Sequence, residues 1–481
     1  VNKGRIQKNG IGLSVLFVIV IVLAFTKTTK QEKSNKNGQP NIIIILIDDA
    51  GYADFGFMGS KDLQTPNLDK LAAQSIRFTD AHVTASVCSP SRAGLLTGRY
   101  QQRFGYECNE GEGYKGMDTA QVILPKLLQQ QGYTTAAFGK WHLGFEPDQH
   151  PLQKGFQYYY GFLSGGRSYF YQPTKDDGNG AKSALLENHQ QVKFDGYLTD
   201  VLGDKAVNYI KANKHHPFFM YWAPNAVHTP MEADLADLDN FKNHPRQKLA
   251  AMTFALDRAV GKILEELKQQ GLFENTLIFF LSDNGGAYNN QSSNLPLKGF
   301  KGNKYEGGHR VPFLVSWPKK FAGGADFNGL TSSLDIFPTA LDAARIKINP
   351  LQALDGVSLL PFLEVENNNS PHQQLVWRKD NAAAIRYNQY KLIKVNGAGE
   401  RLYDLSKDLS ETNDLQYEQP EMLFMLKQKL INWEKDKIDP LWTEGAIWDT
   451  ITLMIHDDLI NNRKVRVTNP NELEKFSLLK K

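Results

Sequence analysis

Two apolar runs of this chain each end in a pair of residues with oxygen-bearing side chains. "NIIIILIDDAGYADFG" delivers Asp48 and Asp49, and "TLIFFLSDNGG" delivers Asp283 and Asn284. Two further runs, "YTTAAFGKWH" and "PFFMYWAPNAVH", lead to Lys140, Trp141 and His142 and to Asn225 and His228. Singly, each has an ordinary explanation as a turn, a helix cap or a hydrogen-bonded surface histidine. Together, Asp48, Asp49, Asp283 and Asn284 form an oxygen-only donor set, which suits calcium or magnesium and not zinc. With no His–Cys ligand set evident, calcium is the expected ion. The cations Arg92, Lys140, His142 and His228, with Lys301 in "LKGFKGNKYEGGHRVP", would repel one another beside a metal unless an anion lay between them. Metal and cation clamps stabilise a transferring phosphoryl-type group, and a sulfuryl group has the same needs. The expected substrate is an ester of a tetrahedral oxyanion.

The chain has two cysteines, and one opens "CSPSRAGLLTGRY". Cys88 has three readings: a buried hydrophobe, a disulfide partner of Cys108, or the first residue of a helix with Pro90 in its first turn. At a helix N-terminus the thiol pKa falls, so a thiolate nucleophile stays open. Three residues separate Cys88 from Arg92 and one is proline, too few for a loop that wraps a phosphate.

Continuous apolar runs read as strands buried on both faces of a parallel sheet. They fall at 41–47, 133–142, 217–228, 276–286 and 311–317, with helical patterns between them. "TPNLDKLAAQ" starts with Thr65 as N-cap and Pro66 at the first helical position, and "KLAAMTFALDRAVGKILEELKQQG" stops at Gly271. This alternation predicts a doubly wound α/β sheet whose ligand site lies beyond the carboxyl ends of its strands, with every polar residue named above outside its strand. From about Gln373, short runs separated by Asn/Gly/Asp turns predict a small antiparallel sheet, followed by a helix in "PEMLFMLKQKLINWEKD". The chain divides at "VENNNSPHQQ" into a catalytic domain (40–370) and a C-terminal subdomain (371–481). The tail after Pro440 carries no clear pattern.

At 481 residues, 41% apolar and 22% charged, the composition is that of a soluble globular protein with a large domain and a smaller one. A net charge of +3 does not argue for a nucleic-acid partner. Lys3, Arg5 and Lys8 precede an uncharged apolar run, Ile11 to Phe25. Residues 1–39 therefore read as an export signal and linker, with an uncleaved membrane anchor as the alternative. The expected location is periplasmic or extracellular.

Cys88-Ser89-Pro90-Ser91-Arg92, followed by Leu95 and Thr97-Gly98-Arg99, resembles the signature of the type I sulfatases, of the alkaline phosphatase superfamily. The resemblance runs from about Pro40 to Leu415 through "GKWHLG", "HPLQKGFQYYYGF", "LSDNGG" and "YEGGHRVP", and is nearest the arylsulfatase A and N-acetylgalactosamine-sulfatase type, above all bacterial polysaccharide sulfatases. It implies a large, mixed, mostly parallel sheet between helices, with a smaller C-terminal antiparallel sheet and helix. It also implies that a separate maturation enzyme oxidises Cys88 to formylglycine. Calcium would be held by Asp48, Asp49, Asp283, Asn284 and residue 88. Arg92 would hold the aldehyde hydrate, Lys140 and Lys301 the sulfate, with His228 and Lys301 at the bridging oxygen and His142 as base.

The competing readings are a phosphomonoester or phosphonate hydrolase of the same superfamily, and a non-catalytic binder of sulfated glycans in which Cys88 is never converted. A sulfated galactan or glycosaminoglycan is the expected substrate class. Arg167, in the aromatic segment "GFLSGGRSYFYQPT", is the expected substrate contact, and His309, after Glu306-Gly307-Gly308, is a second candidate. Trp141 reads as packing.

Overall fold

The computed structural model describes residues 38–173, 178–347, 349, 352–364, 369–379 and 381–478. The expected export signal or anchor lies outside them, except for its last two residues, as does part of the expected domain boundary. In chain order the strands are β1 (Asn41–Ile47), β2 (Ile76–Phe78), β3 (Ala81–His82), β4 (Thr134–Lys140), β5 (Tyr158–Phe162), β6 (Leu186–Glu187), β7 (Gln190–Gln191) and β8 (Phe218–Ala223). They continue as β9 (Thr276–Ser282), β10 (Phe313–Ser316), β11 (Ala325–Phe327), β12 (Thr331–Ser332), β13 (Gln374–Lys379), β14 (Ala382–Tyr387), β15 (Tyr390–Val395) and β16 (Gly399–Asp404).

Ten strands form one sheet in the order β11-β2-β10-β9-β1-β8-β4-β5-β6-β7. The central block β9-β1-β8-β4-β5 is parallel throughout, and β10 runs antiparallel to both its neighbours. β1 is buried along its whole length, and its alternating side chains feed two separate cores. Ile42, Ile44 and Leu46 pack with Leu95, Leu96 and Phe337 on one face. Ile43, Ile45 and Ile47 pack on the other with Leu202, Leu256 and Val260, from the helices Leu198–Asn213 and Gln247–Gln269. A strand covered on both faces needs an unbroken apolar run, which is why the isoleucines of β1 do not alternate with polar residues.

The C-terminal strands form a four-stranded antiparallel meander, β13-β14-β15-β16. One face carries the helix Pro420–Glu434 through Leu426 and Leu430. The other packs on Tyr305 and on Ile451 and Ile455 of the helix Ala446–Ile460. This helix and Pro470–Leu478 occupy the tail in which the sequence shows no pattern.

The helix Pro66–Ala72 starts where expected, but Thr65 does not cap it. The Thr65 hydroxyl accepts from Gly56 N at 2.9 Å, and the free N–H groups of Asn67 and Leu68 donate instead to the Asp257 carboxylate at 3.0 and 2.8 Å. A carboxylate from a distant helix thus replaces a local cap. Asp257→Ala should lower stability by about 1–2 kcal/mol in urea denaturation, the usual cost of a lost cap.

Candidate active site

Four adjacent parallel strands, β9, β1, β8 and β4, bring their carboxyl ends to one rim of the sheet. Asp48 and Asp49 leave β1, Asp283 and Asn284 leave β9, Asn225 and His228 follow β8, and His142 follows β4. One expectation is corrected: Lys140 is the last residue of β4, paired with Phe162 of β5, not a residue beyond the strand. Its side chain still reaches the rim, where Nζ lies 2.8 Å from Asp48 Oδ2.

Cys88 is the first residue of the helix Cys88–Thr97, and Arg92 stands one turn later on the same face. Cys88 Sγ lies 3.6 Å from Asp48 Oδ1 and 3.9 Å from Asp49 Oδ1. Arg92 Nη2 and Nε donate to Asp283 Oδ2 at 2.7 and 2.9 Å. Lys301 Nζ is 2.8 Å from Asp49, and His228 Nε2 is 3.6 Å from Asp49 Oδ2. Cys88 and Cys108 are both buried and form no disulfide; Cys108 Sγ instead contacts Trp442 O at 3.4 Å.

Two left-handed residues aim this cluster. Asp49 has φ 61°, a conformation costly for a residue with a Cβ, and its carbonyl accepts from Asn290 Nδ2 and Ser292 Oγ, both at 3.0 Å. His142 also has φ 61°; its N–H donates to Leu163 O at 3.0 Å and its carbonyl accepts from Ser89 Oγ at 2.5 Å. In Asp283-Asn284-Gly285-Gly286 a glycine is needed for close approach: a Cβ on Gly285 would sit 1.8 Å from Gly307 O. That approach holds the Asp283 turn against the segment that carries Lys301.

The residues present fit a divalent cation. Asp48, Asp49, Cys88 and His228 place one ligand atom each within 4.8 Å of one another. Asn284 donates its Nδ2 to Asp49 Oδ1 at 2.7 Å, while its Oδ1 is buried with no hydrogen-bond partner. Burial, followed by the Asp48 charge, pushes the Asp283 carboxyl up to about 6, against the pull of Arg92 and Lys140. Burial works against the charge on Asp48 too, but Lys140, His228 and Arg92 outweigh it and hold this carboxyl well below the usual range.

The surroundings of Cys88 work against the thiolate reading. Burial, followed by the Asp283 charge, pushes the thiol well above its ordinary value, overriding the helix N-terminus. His142 shifts the other way. Burial and the Lys140 and Arg92 charges hold it well below the ordinary histidine value, so the ring is neutral near pH 7, with Nδ1 buried and unpartnered.

The structure does not bring Arg167 or His309 into the cluster. Arg167 is 3% exposed, and its guanidinium donates to Ser168 O and Ser183 O and packs over the Phe194 ring. The aromatic segment around it is a brace. The Tyr169 hydroxyl lies 2.5 and 2.8 Å from the carbonyls of Asn225 and His228, and a Cβ on Gly165 would meet the His142 ring at 2.7 Å. His309 is fully buried, stacks on Trp377 at 3.8 Å and faces His82, so the expectation of substrate contact there is corrected. His82, Glu306 and His309 resemble a ligand group, but Lys391 Nζ already fills the gap, 2.9 Å from Glu306 and 3.3 Å from His309. Trp141 is packing, buried against Phe156 with its indole N–H on Gln149 O.

Glu110 was not foreseen. Its carboxylate lies 3.7 Å from His142 Nε2, and nothing in "YECNEGEGYKG" marks it, because its neighbour comes from another strand end. Asn290 and Ser292 were missed for the same reason. The polar "NNQSS" loop carries no periodicity that points back to Asp49.

Buried carboxylates and cations at the strand ends of a helix-flanked, mostly parallel sheet, beside a reactive-type residue at a helix start, define a class of α/β hydrolases acting on oxyanion esters. Residues 40–346 match the Sulfatase family model, and residues 300–436 match the model for the C-terminal part of N-sulphoglucosamine sulphohydrolase. The chain belongs to the sulfatase family, the sulfuric ester hydrolases. It is 34% identical over 414 residues to the uncharacterized sulfatase YdeN of Escherichia coli (strain K12), a match covering 74% of this chain and 71% of YdeN. It is 32% identical over 373 residues to human (Homo sapiens) N-acetylgalactosamine-6-sulfatase, covering 73% and 71%. Among solved structures, that of Ps i-CgsB in complex with k-i-k-neocarrahexaose superposes with a TM-score of 0.80 at 39% identity, over 88% of this chain and 99% of that one.

Arg92→Met should be strongly destabilising, by about 3–5 kcal/mol in a denaturant titration, because it leaves Asp283 buried without its cation.

Proposed function

We propose that this sulfatase removes sulfate from a sulfated carbohydrate of galactan or glycosaminoglycan type, using formylglycine made from Cys88 and a calcium ion. The observation that carries the reading is the position of Cys88, within 4 Å of Asp48 and Asp49 at the start of the helix that also presents Arg92. The glycan class is supported by the relatives, one named for N-acetylgalactosamine 6-sulfate and one bound to a neocarrahexaose.

Asp48, Asp49, Asp283 and Asn284, with residue 88, would hold the calcium. When bound, the ion would supply Lewis acidity and positive charge at the nucleophile. Formylglycine at residue 88 would supply, as its hydrate, a nucleophilic hydroxyl and a second ionisable one. Arg92 holds residue 88 and balances its charge. Lys140 and Lys301 grip the sulfate oxygens. His228 and Lys301 serve the bridging oxygen, where the departing alcohol needs a proton. His142, neutral near pH 7, is fitted to accept a proton at its ring nitrogen. Three carboxylates face three cations here, so a divalent ion leaves surplus positive charge that suits an anionic ester.

Residues 40–370 are assigned to the catalytic domain and 371–481 to the C-terminal subdomain. No helix among the described residues is long and apolar enough to cross a membrane. The basic and apolar pattern of residues 3–25 supports export to the periplasm or the outside, with maturation by a separate formylglycine-generating enzyme.

The test is desulfation of defined sulfated oligosaccharides, with NMR locating the lost sulfate, alongside mass spectrometry of the Cys88 peptide from the native host. An aldehyde at residue 88, and loss of turnover in Cys88→Ala, are expected. An unmodified cysteine, or faster turnover of the matching phosphate esters, would overturn the reading. Chelation should abolish activity and lower the melting temperature, and added calcium should restore both; a melting curve unchanged by chelator would rule out the bound ion.

A further inference from the structure

A cavity of about 310 Å³ opens over the cluster, and its walls come from distant parts of the chain. Asp49, His228 and Lys301 line one side, and Trp448, Ile451, Thr452 and Ile455 line the other. The spacing of these four residues, i, i+3, i+4 and i+7, puts them on one face of the helix Ala446–Ile460. That face is graded: Ile451 and Ile455 are buried against the C-terminal sheet, while Trp448 is 36% exposed. Large rings left open beside charged groups are the uncommon feature here: Trp448, and Tyr288, which lines the same cavity at 46% exposed.

The helix is anchored at both ends to segments that build the site. At its start, the Glu444 carboxylate accepts from Asn109 N at 3.2 Å and from Lys379 Nζ at 2.7 Å, and the Trp442 indole donates to Asn109 O at 2.8 Å. Towards its end, His456 Nε2 accepts from Lys304 N at 3.3 Å, three residues from Lys301. The wall is therefore held in register with the lysine that faces Asp49. It lies beyond residue 436, the last residue that the two family models match.

We infer that the exposed face of Trp448 is a stacking platform for a sugar ring of the substrate, held while its sulfate reaches Lys301 and His228. A pyranose presents an apolar C–H face, and an indole supplies a wide, rigid surface for it at little cost in side-chain entropy. The inference rests on the proposed glycan-sulfatase function and adds the residue that selects a carbohydrate over a small sulfate ester.

The test titrates sulfated galactan and chondroitin-type hexasaccharides calorimetrically into the full chain carrying Cys88→Ala, with and without a substitution at Trp448. Trp448→Ala should weaken binding of the accepted hexasaccharide about tenfold or more, and Trp448→Phe, which keeps a ring, by less. In the matured enzyme, Trp448→Ala should raise KM for that hexasaccharide more than for 4-nitrophenyl sulfate. Equal affinity of Trp448→Ala and its parent overturns the inference. Affinity of Trp448→Phe and of Trp448→Leu both equal to the parent also overturns it, which covers the case of a misfolded alanine variant. Sulfate release by the matured chain separates two failures: release without any Trp448 effect defeats only this inference. Neither release nor binding with any member of the panel defeats the function beneath it.

Discussion

Three carboxylates, Asp48, Asp49 and Asp283, are buried at the ends of two neighbouring strands, and each is answered by one cation. Asp48 meets Lys140, Asp49 meets Lys301 and Asp283 meets Arg92, at 2.7–2.8 Å. A buried charge without its partner is among the costliest defects a fold can carry. The cations come from three different segments, β4, the helix from Cys88 and the segment that carries Lys301, so these and the two strands cannot move independently. The order β9-β1-β8-β4 and the helix from Cys88 are tied to this one requirement. The left-handed backbone of Asp49 and His142 is also tolerated there, because the surrounding hydrogen bonds over-determine it.

The C-terminal sheet belongs to the same system. Lys391 of β15 is fully buried between Glu306 and Glu411, 2.9 Å from each. Glu306 stands in the short helix Glu306–His309, whose Gly307 carbonyl abuts Gly285 next to Asp283 and Asn284. A lysine from the C-terminal sheet thus braces the turn that shapes one edge of the carboxylate cluster. His82 and His309 complete that brace, and burial holds both below the ordinary histidine value. At neutral pH they therefore add no charge beside Lys391 and Arg310.

Legibility in the sequence followed the kind of burial involved. β1, β8 and β9 were readable because a strand covered on both faces has to be apolar without interruption, and the polar residues after each run then had to share a rim. The small antiparallel sheet was readable from its turns. The helix Ala446–Ile460 was not, because exposed apolar residues such as Ile447 and Trp448 stand among the buried Ile451 and Ile455 and blur its period. The placement of Arg167 and His309 away from the cluster was not legible, because the groups that meet them, Ser183 O and Trp377, lie 16 and 68 residues away in the chain. Thr65 lost its capping role for the same reason, to Asp257.

Local chemistry, then, was determined by the sequence alone: which runs become buried strands, which oxygen and nitrogen groups follow them, and that Cys88 opens a helix with Arg92 one turn on. The tertiary structure decided the pairing of those charges, the depth at which each is buried and hence its protonation. It also decided that the far wall of the cavity is built by the tail. The physical reason is that electrostatics in a buried site depends on distances between side chains set by strand order and packing, and no spacing along the chain encodes those distances.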